Sequence, residues 1–199
     1  MELFQAIRGR RTVRRFLNRP VEKELIERIL EAATWAPSAH NAQPWRFYVI
    51  TDPDVKRRLA EEMAGAWERD LEADGVPSEE RRSLTSESVK RITGAPVAVL
   101  ACMTMRDMDR YPDEKRMMAE RTMAVQSVAA AVQNMLLAAH GLGLGACWMC
   151  APLFCPDVVR RALGMPEDVE PQALILVGYP AEKPSPPERK TLSEVSVWV

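Results

Sequence analysis

Four arginines fall within six residues, at Arg10, Arg11, Arg14 and Arg15, grouped around Thr12, Val13 and Phe16. Guanidinium groups match phosphate oxygens bidentately, so the run reads as an anion clamp or, more simply, as a solvated basic loop. A nucleic-acid patch is the weaker reading. No aromatic residues interleave in the run, and 27 Lys and Arg are balanced by 28 Asp and Glu, for a net charge of −1. A second candidate is Ala36–Trp45, where Ser38, His40, Asn41 and Gln43 sit between Pro37 and Pro44. It offers donors and acceptors on a backbone of restricted freedom, and by itself it also reads as an ordinary turn ahead of a buried Trp45. A third is Cys147-Trp148-Met149-Cys150, which has CxxC spacing. A redox pair of this type normally opens a helix, where the thiol pKa is lowered. Here it lies in or just after a strand, which argues against dithiol catalysis.

Other chemistry is excluded by what is missing. The two histidines, His40 and His140, stand far apart and form no HExxH or other zinc-ligand spacing, so no metal site is expected. GxSxG and P-loop motifs are absent. The chain supplies no nucleophile, metal or strong acid–base pair of its own. A bound cofactor is therefore the expected carrier of chemistry, with the protein providing orientation and electrostatics.

The elements that must position these residues follow from periodicity and punctuation. Thr122–Cys150 is the organising stretch. Met123–Ala139 is apolar on nearly every face apart from Gln126, Ser127, Gln133 and Asn134, which reads as a buried helix rather than a membrane span. Gly141, Gly143 and Gly145 follow the helix instead of opening one, so they are not a nucleotide fingerprint. Gly141 is the expected helix-ending residue at positive φ. Glu2–Gly9, Val21–Ala36, Asp54–Ala73 and Pro156–Leu163 read as helices, and Asp74–Ser88 as a polar loop with a mobile helix. Arg46–Ile50, Ala95–Cys102, Ala146–Cys150 and Gln172–Gly178 read as strands, the second buried on both faces. The Pro-rich tail ends in strand-like Val195–Val199, which could pair with a sheet edge of another subunit. Alternating strands and helices indicate α/β or α+β layers. The length of 199 residues fits a single domain, 1–199. The start of the chain, MELFQAIRGRR, has no apolar signal region, and a cytoplasmic protein with reduced thiols is expected.

Three segments in order carry a family likeness. Arg10–Phe16 resembles the RRSxRxF opening of the FMN-dependent nitroreductase family. Ala36–Trp45 resembles its APSxxNxQPW loop. The Gln133–Ala139 helix, its glycine exit and Trp148 resemble its QNxxLAAxxxGLGxxW segment. Gly178-Tyr179-Pro180 and Arg189-Lys190 resemble its ending. A finer likeness, through Tyr111-Pro112-Asp113, Cys147-Trp148 and Asp157–Leu163, is to the flavin reductase domain associated with coenzyme F-420 biosynthesis.

The resemblance implies an α+β fold with a central mixed or antiparallel sheet flanked by helices. It further implies an intertwined homodimer with exchanged C-terminal arms and two shared FMN sites. Arg10, Arg11, Thr12, Arg189 and Lys190 would lie near the FMN phosphate and ribityl chain, and Arg14 at the pyrimidine edge. Pro37, Ser38, Ala39, Asn41 and Gln43 would approach from the partner subunit. Trp148, Met149, Cys150 and Ala151 would lie beside the reactive edge of the ring. No catalytic side chain is implied, since the flavin carries the chemistry. Cys150 departs from the glycine common at that place, and the Glu72–Ser88 region lacks aromatic groups to stack on a substrate. The implied activity is an FMN-dependent oxidoreductase with a ping-pong cycle. Electrons would pass from NADH, NADPH or reduced F-420 to an electron-poor small molecule such as a nitroaromatic, a quinone or an unsaturated metabolite, with neither nucleic acid nor membrane as partner. The alternatives are a reductase of a deazaflavin precursor, and a flavin-binding or flavin-fragmenting protein without such turnover.

Overall fold

The structure, a computed structural model, describes residues 2–199. Local chemistry explains where most elements begin. In α1 (Leu3–Gly9), the Glu2 carboxylate accepts from the Phe4 and Gln5 backbone N–H groups, while the Gln5 side chain accepts from Glu2 N, a reciprocal capping box. In α2 (Lys23–Thr34), Ile26, Ile29 and Ala33 recur at helical spacing on the buried face. After β1 (Trp45–Ile50), Asp52 caps α3 (Pro53–Ala73), whose proline occupies the first turn, where its missing N–H costs nothing. Then follow α4 (Ser78–Thr93), β2 (Val97–Thr104) and α5 (Glu114–Gly141), capped by Asp113. The chain continues through β3 (Gly145–Met149), α6 (Pro156–Leu163), β4 (Val169–Gly178) and the short α7 (Leu192–Val195).

The four strands form one antiparallel sheet in the order β1-β2-β4-β3. Strand side chains alternate between faces, so each central strand feeds two cores. Val97, Val99, Ala101 and Met103 of β2, with Ala173, Ile175 and Val177 of β4, meet the buried sides of α2 and α5. Ala98, Leu100, Cys102, Leu174 and Leu176 face the other way, onto α3 and α6. Every residue of β2 is buried, as expected for a continuous apolar strand covered on both sides. The α+β architecture of helices around a mainly antiparallel sheet agrees with the expectation.

Helix α5 spans 28 residues, about 42 Å at 1.5 Å per residue. By length and composition alone it could cross a membrane. In the fold Ala124, Ser127, Val128, Ala131, Val132, Met135, Leu136 and Ala139 form one buried face against the sheet and α2. Met118, Val125, Gln126 and Gln133 lie exposed on the other sides. The burial on all faces expected from its apolar sequence is therefore not reached within one chain.

The exit from α5 corrects the reading of its glycines. Gly141 is still helical, and the residue at positive φ is Gly143, at 81°. Leu144 N donates to Ala139 O and Gly143 N to His140 O, the paired bonds that close a helix through a left-handed residue. Gly145 and Gly178 serve close packing instead. A Cβ on Gly145 would lie 2.8 Å from Val13 Cβ, and one on Gly178 would lie 2.6 Å from Pro96 Cδ.

Two further expectations change. Asp74–Ser88 is mostly the start of α4, an amphipathic helix laid along α3. At the other end of the chain Thr191 and Glu194 form a capping box for α7, and Val195–Val199 joins no strand among the described residues. The terminal side chains are exposed, with Trp198 at 96%.

Candidate functional site

The arginine run is an added edge on the sheet. Val13 N donates to Ala146 O at 3.0 Å, and Thr12 bridges Ala146 in parallel, which makes this edge of the sheet mixed. Farther along, Leu17 N donates to Tyr179 O and Ala181 N to Arg15 O. Alternation then decides what each residue does. Val13 is buried against Gly145, whereas Arg14 and Arg15 are exposed. The Glu182 carboxylate holds this stretch from outside, accepting from Arg14 N at 2.8 Å, Arg15 N at 3.2 Å and Arg15 Nε at 2.8 Å. Those bonds, the backbone ones first, keep its pKa below the usual carboxylate value.

The result is a cleft of about 920 Å³ lined by Thr12, Arg14, Phe16, Lys90, Arg91 and Lys183, among others. That is within the size range of small-molecule and cofactor sites. Arg15 is paired with Glu182, and Arg91 with Glu87. Arg10 and Arg14 have no carboxylate partner among the described residues, so their charge is available to an anion. Arg11 is placed differently: its Nη1 donates to Arg8 O and Arg10 O, at 2.7 and 2.9 Å, at the end of α1. His140, at the end of α5, lies against Gly9. Burial, followed by the repulsion of Arg10 and Arg11, holds its pKa below the ordinary value.

Strand β3 brings its own exit beside this cleft. Trp148 is 36% exposed and Cys150 is exposed, while Cys147 is buried. Cys147 belongs to the core shared with α3 and α6, and burial pushes its thiol pKa up. A dithiol needs two matched, accessible sulfurs with at least one of low pKa, and this pair is not of that kind.

The loop before β1 is the strained part of the molecule. His40, Asn41 and Gln43 all have positive φ, at 53°, 52° and 49°. Three such non-glycine residues in four positions are costly and persist only where surrounding bonds over-determine them. Ser38 Oγ accepts from Gln43 N at 3.1 Å, and Ala39 N donates to Ser127 Oγ of α5 at 3.3 Å. The turn presents Asn41 and Gln43 outward. A contact missed by sequence reasoning also lies here: His40 Nε2 is 3.5 Å from Glu120 Oε1. The two residues are eighty positions apart, and no motif links them.

The sites named from the sequence thus fall into separate groups. Arg10, Thr12, Arg14, Trp148, Met149 and Cys150 gather at the β3 edge. Pro37, Ser38, Ala39, Asn41 and Gln43 gather ahead of β1, the opposite edge, three strand spacings or roughly 14 Å away across the sheet. Arg189 and Lys190 are exposed on the C-terminal segment and make no hydrogen bond or ion pair among the described residues.

Comparison with known proteins agrees with this architecture. The Nitroreductase family matches residues 7–179. A Methanothermobacter thermautotrophicus protein provisionally named NADH dehydrogenase/NAD(P)H nitroreductase is 33% identical over 187 residues, covering 92% of this chain and 80% of that protein. A Thermus thermophilus protein named NADH dehydrogenase is 30% identical over 213 residues, covering 95% and 92%. Among solved structures, a BluB-like flavoprotein of Clostridium difficile superposes with a TM-score of 0.84 at 26% identity, covering 100% of this chain and 99% of that one. A Desulfovibrio desulfuricans protein solved in complex with FMN has a TM-score of 0.77 at 31% identity, covering 100% and 97%. With the arginine edge, the strained APSxxNxQPW loop and the β3 exit all in the matched region, the chain belongs to the nitroreductase family.

Proposed function

We propose that this protein is an FMN-dependent NAD(P)H oxidoreductase that works as a homodimer, with each flavin held between the β3 edge of one chain and the Ser38–Gln43 loop of its partner. The observation that carries the reading is the split site. Two sets of polar groups, each open on one side, stand at opposite edges of one sheet, and a two-fold assembly is the simplest way to bring unlike edges together twice. The exposed side of α5 and the apolar side chains of Leu3, Phe4 and Ile7 on α1 supply surface for such a contact. The family match and the FMN-bound relative support the cofactor.

FMN, when bound, supplies two-electron redox chemistry. The chain's own residues do the rest. Arg10 offers an unpaired guanidinium to the phosphate, with Thr12 beside it. Arg14 would bring a positive charge to the ring and favour its electron-rich form. Its backbone cannot drift, because Glu182 and the bridge to Ala146 hold the strand on both sides. Backbone groups at Met149 and Cys150 would orient the ring without competing for its electrons. On this reading the open side of the site would receive first NADH or NADPH and then an electron-poor acceptor such as a nitroaromatic or quinone.

The test is the absorbance spectrum of purified protein, followed by titration with NADH, NADPH and reduced F-420. A yellow protein bleached by a nicotinamide donor is expected, with parallel lines in double-reciprocal plots against the acceptor. Colourless protein that takes up no added FMN overturns the flavin reading. Intersecting lines overturn the ping-pong order alone.

A further inference from the structure

We infer that His40, Asp109 and Glu120 form a binding site for a zinc-type divalent cation that ties the loop ahead of β1 to α5. One ligand atom from each of the three residues lies within 4.8 Å of the others. His40 Nε2 is 3.5 Å from Glu120 Oε1 and 3.8 Å from Asp109 Oδ2. These separations are too long for good hydrogen bonds. The shorter is close to the edge of a coordination tetrahedron, about 3.4 Å for metal–ligand distances of roughly 2.1 Å, and the exposed Asp109 side chain has the farther to close.

Glu120 is the independent observation. Its side chain is only 3% exposed, and Oε2 is buried with no hydrogen-bond partner among the described residues. A buried carboxylate oxygen left unpaired is costly unless a cation or donor satisfies it. A protonated His40 would answer only Oε1. A cation seated among the three groups satisfies the carboxylate as a whole. It also accounts for the backbone of His40, which is held in the left-handed region at φ 53°. Strain of this kind needs something that fixes the residue.

The ligands come from three places: the loop ahead of β1, the β2–α5 connection and the first turns of α5. The side chains of His40 and Asp109 are about half exposed, at 51% and 57%, so the cation can enter from solvent and keep water as a further ligand. One imidazole with two carboxylates suits Zn²⁺ and its first-row neighbours. Mg²⁺ and Ca²⁺ prefer all-oxygen shells, and Cu⁺ prefers sulfur. The site stands on this geometry and does not rest on the flavin reading.

The experiment uses full-length, flavin-loaded protein stripped with chelator and titrated calorimetrically with ZnCl₂, with MgCl₂ and CaCl₂ in parallel. One Zn²⁺ per chain is expected, with no matching uptake of Mg²⁺ or Ca²⁺. Co²⁺ in its place should give d–d bands without a thiolate charge-transfer band. His40→Gln and Asp109→Asn change exposed side chains and should keep the native circular dichroism spectrum. Each should weaken Zn²⁺ binding at least tenfold, the scale on which even supporting residues of metal sites act. No saturable Zn²⁺ uptake overturns the proposal and shows His40 to be a simple ion-pair partner. A thiolate band, or unchanged affinity in both variants, overturns it in favour of the cysteines or of adventitious surface binding. Flavin absorbance is read in the same samples, so failure of the cation site leaves the flavin reading standing.

Discussion

Val13 and Gly145 are in contact at a distance that admits no side chain: a Cβ on Gly145 would lie 2.8 Å from the Val13 Cβ and Cγ2 and 2.9 Å from its Cγ1. This is what lets the arginine segment lie flat on β3. Both the Val13–Ala146 hydrogen bond and the placement of Arg14 depend on it.

Gly145→Ala should therefore force the two strands apart or distort Val13. Overpacking of this kind costs roughly 1–3 kcal/mol. Thermal unfolding should show a lowered Tm, and flavin retention should fall with it. Val13→Ala in the Gly145→Ala background removes the two Cγ contacts but keeps the Cβ at 2.8 Å, so only Val13→Gly in that background should recover a substantial part of the loss. A Gly145→Ala protein with unchanged Tm would show that the contact is looser than the geometry requires.

Arg14→Ala removes a charge that has no carboxylate partner in the chain, so little stability should be lost. FMN affinity should drop on the order of ten- to a hundredfold, the range of one charge-assisted hydrogen bond. The potential of the remaining bound flavin should become more negative, as measured by equilibration with a redox dye. Arg14→Lys should restore part of the potential and less of the affinity, since an ammonium keeps the charge but not the fork. Unchanged affinity and potential in Arg14→Ala would remove this residue from the site.

His140 offers a pH readout of anion binding. Its pKa is held below the ordinary 6.5 by burial first, then by Arg10 and Arg11. The folded state therefore prefers the neutral ring. Stability attributable to this residue rises with pH through the window between the depressed value and 6.5, and is lost as the pH falls back through it. A phosphate dianion on Arg10 offsets the repulsion and should raise the His140 pKa. Ring proton shifts followed by NMR, with and without FMN, check this. A pKa that does not move on FMN binding would place the phosphate elsewhere.

The C-terminal segment has the composition of something that is covered in an assembly. Val195, Val197, Trp198 and Val199 are all exposed, and Arg189 and Lys190 are without partners among the described residues. Removing residues 185–199 should leave the core folded, because none of these residues belongs to either core cluster. It should weaken the homodimer and its FMN binding together, measured by light scattering and by flavin content. A truncated protein that stays dimeric and fully loaded would show that the arm contributes to neither.

Local rules made much of this protein legible from its residues. The bounds of α6, Pro156–Leu163, agree with the sequence reading at both ends, because a first-turn proline and a closing Gly164 at φ 60° mark them. The four strands appear within a few residues of their expected places. The arginine run and the Pro37–Pro44 loop could be singled out as candidates, though their residues alone read equally as a solvated basic loop and an ordinary turn. A local misjudgement also occurred, at the exit of α5. Gly141 looked like the helix stop, but the chain runs on until a left-handed Gly143 lets its own N–H reach His140 O and Leu144 N reach Ala139 O.

What the sequence by itself determined is the inventory: which stretches are helices and strands, which strand is buried on both faces, and which residues have chemistry to offer. Those features depend on side-chain periodicity and on caps a few residues away. The tertiary structure alone decided the partnerships. It chose which face of α5 meets the sheet and placed the two groups of candidate residues on opposite edges. It set Glu182 on the backbone of Arg14 across 168 residues and brought His40 to Glu120. Such pairings depend on the order β1-β2-β4-β3, and strand order is set by the summed burial of both cores rather than by any local pattern.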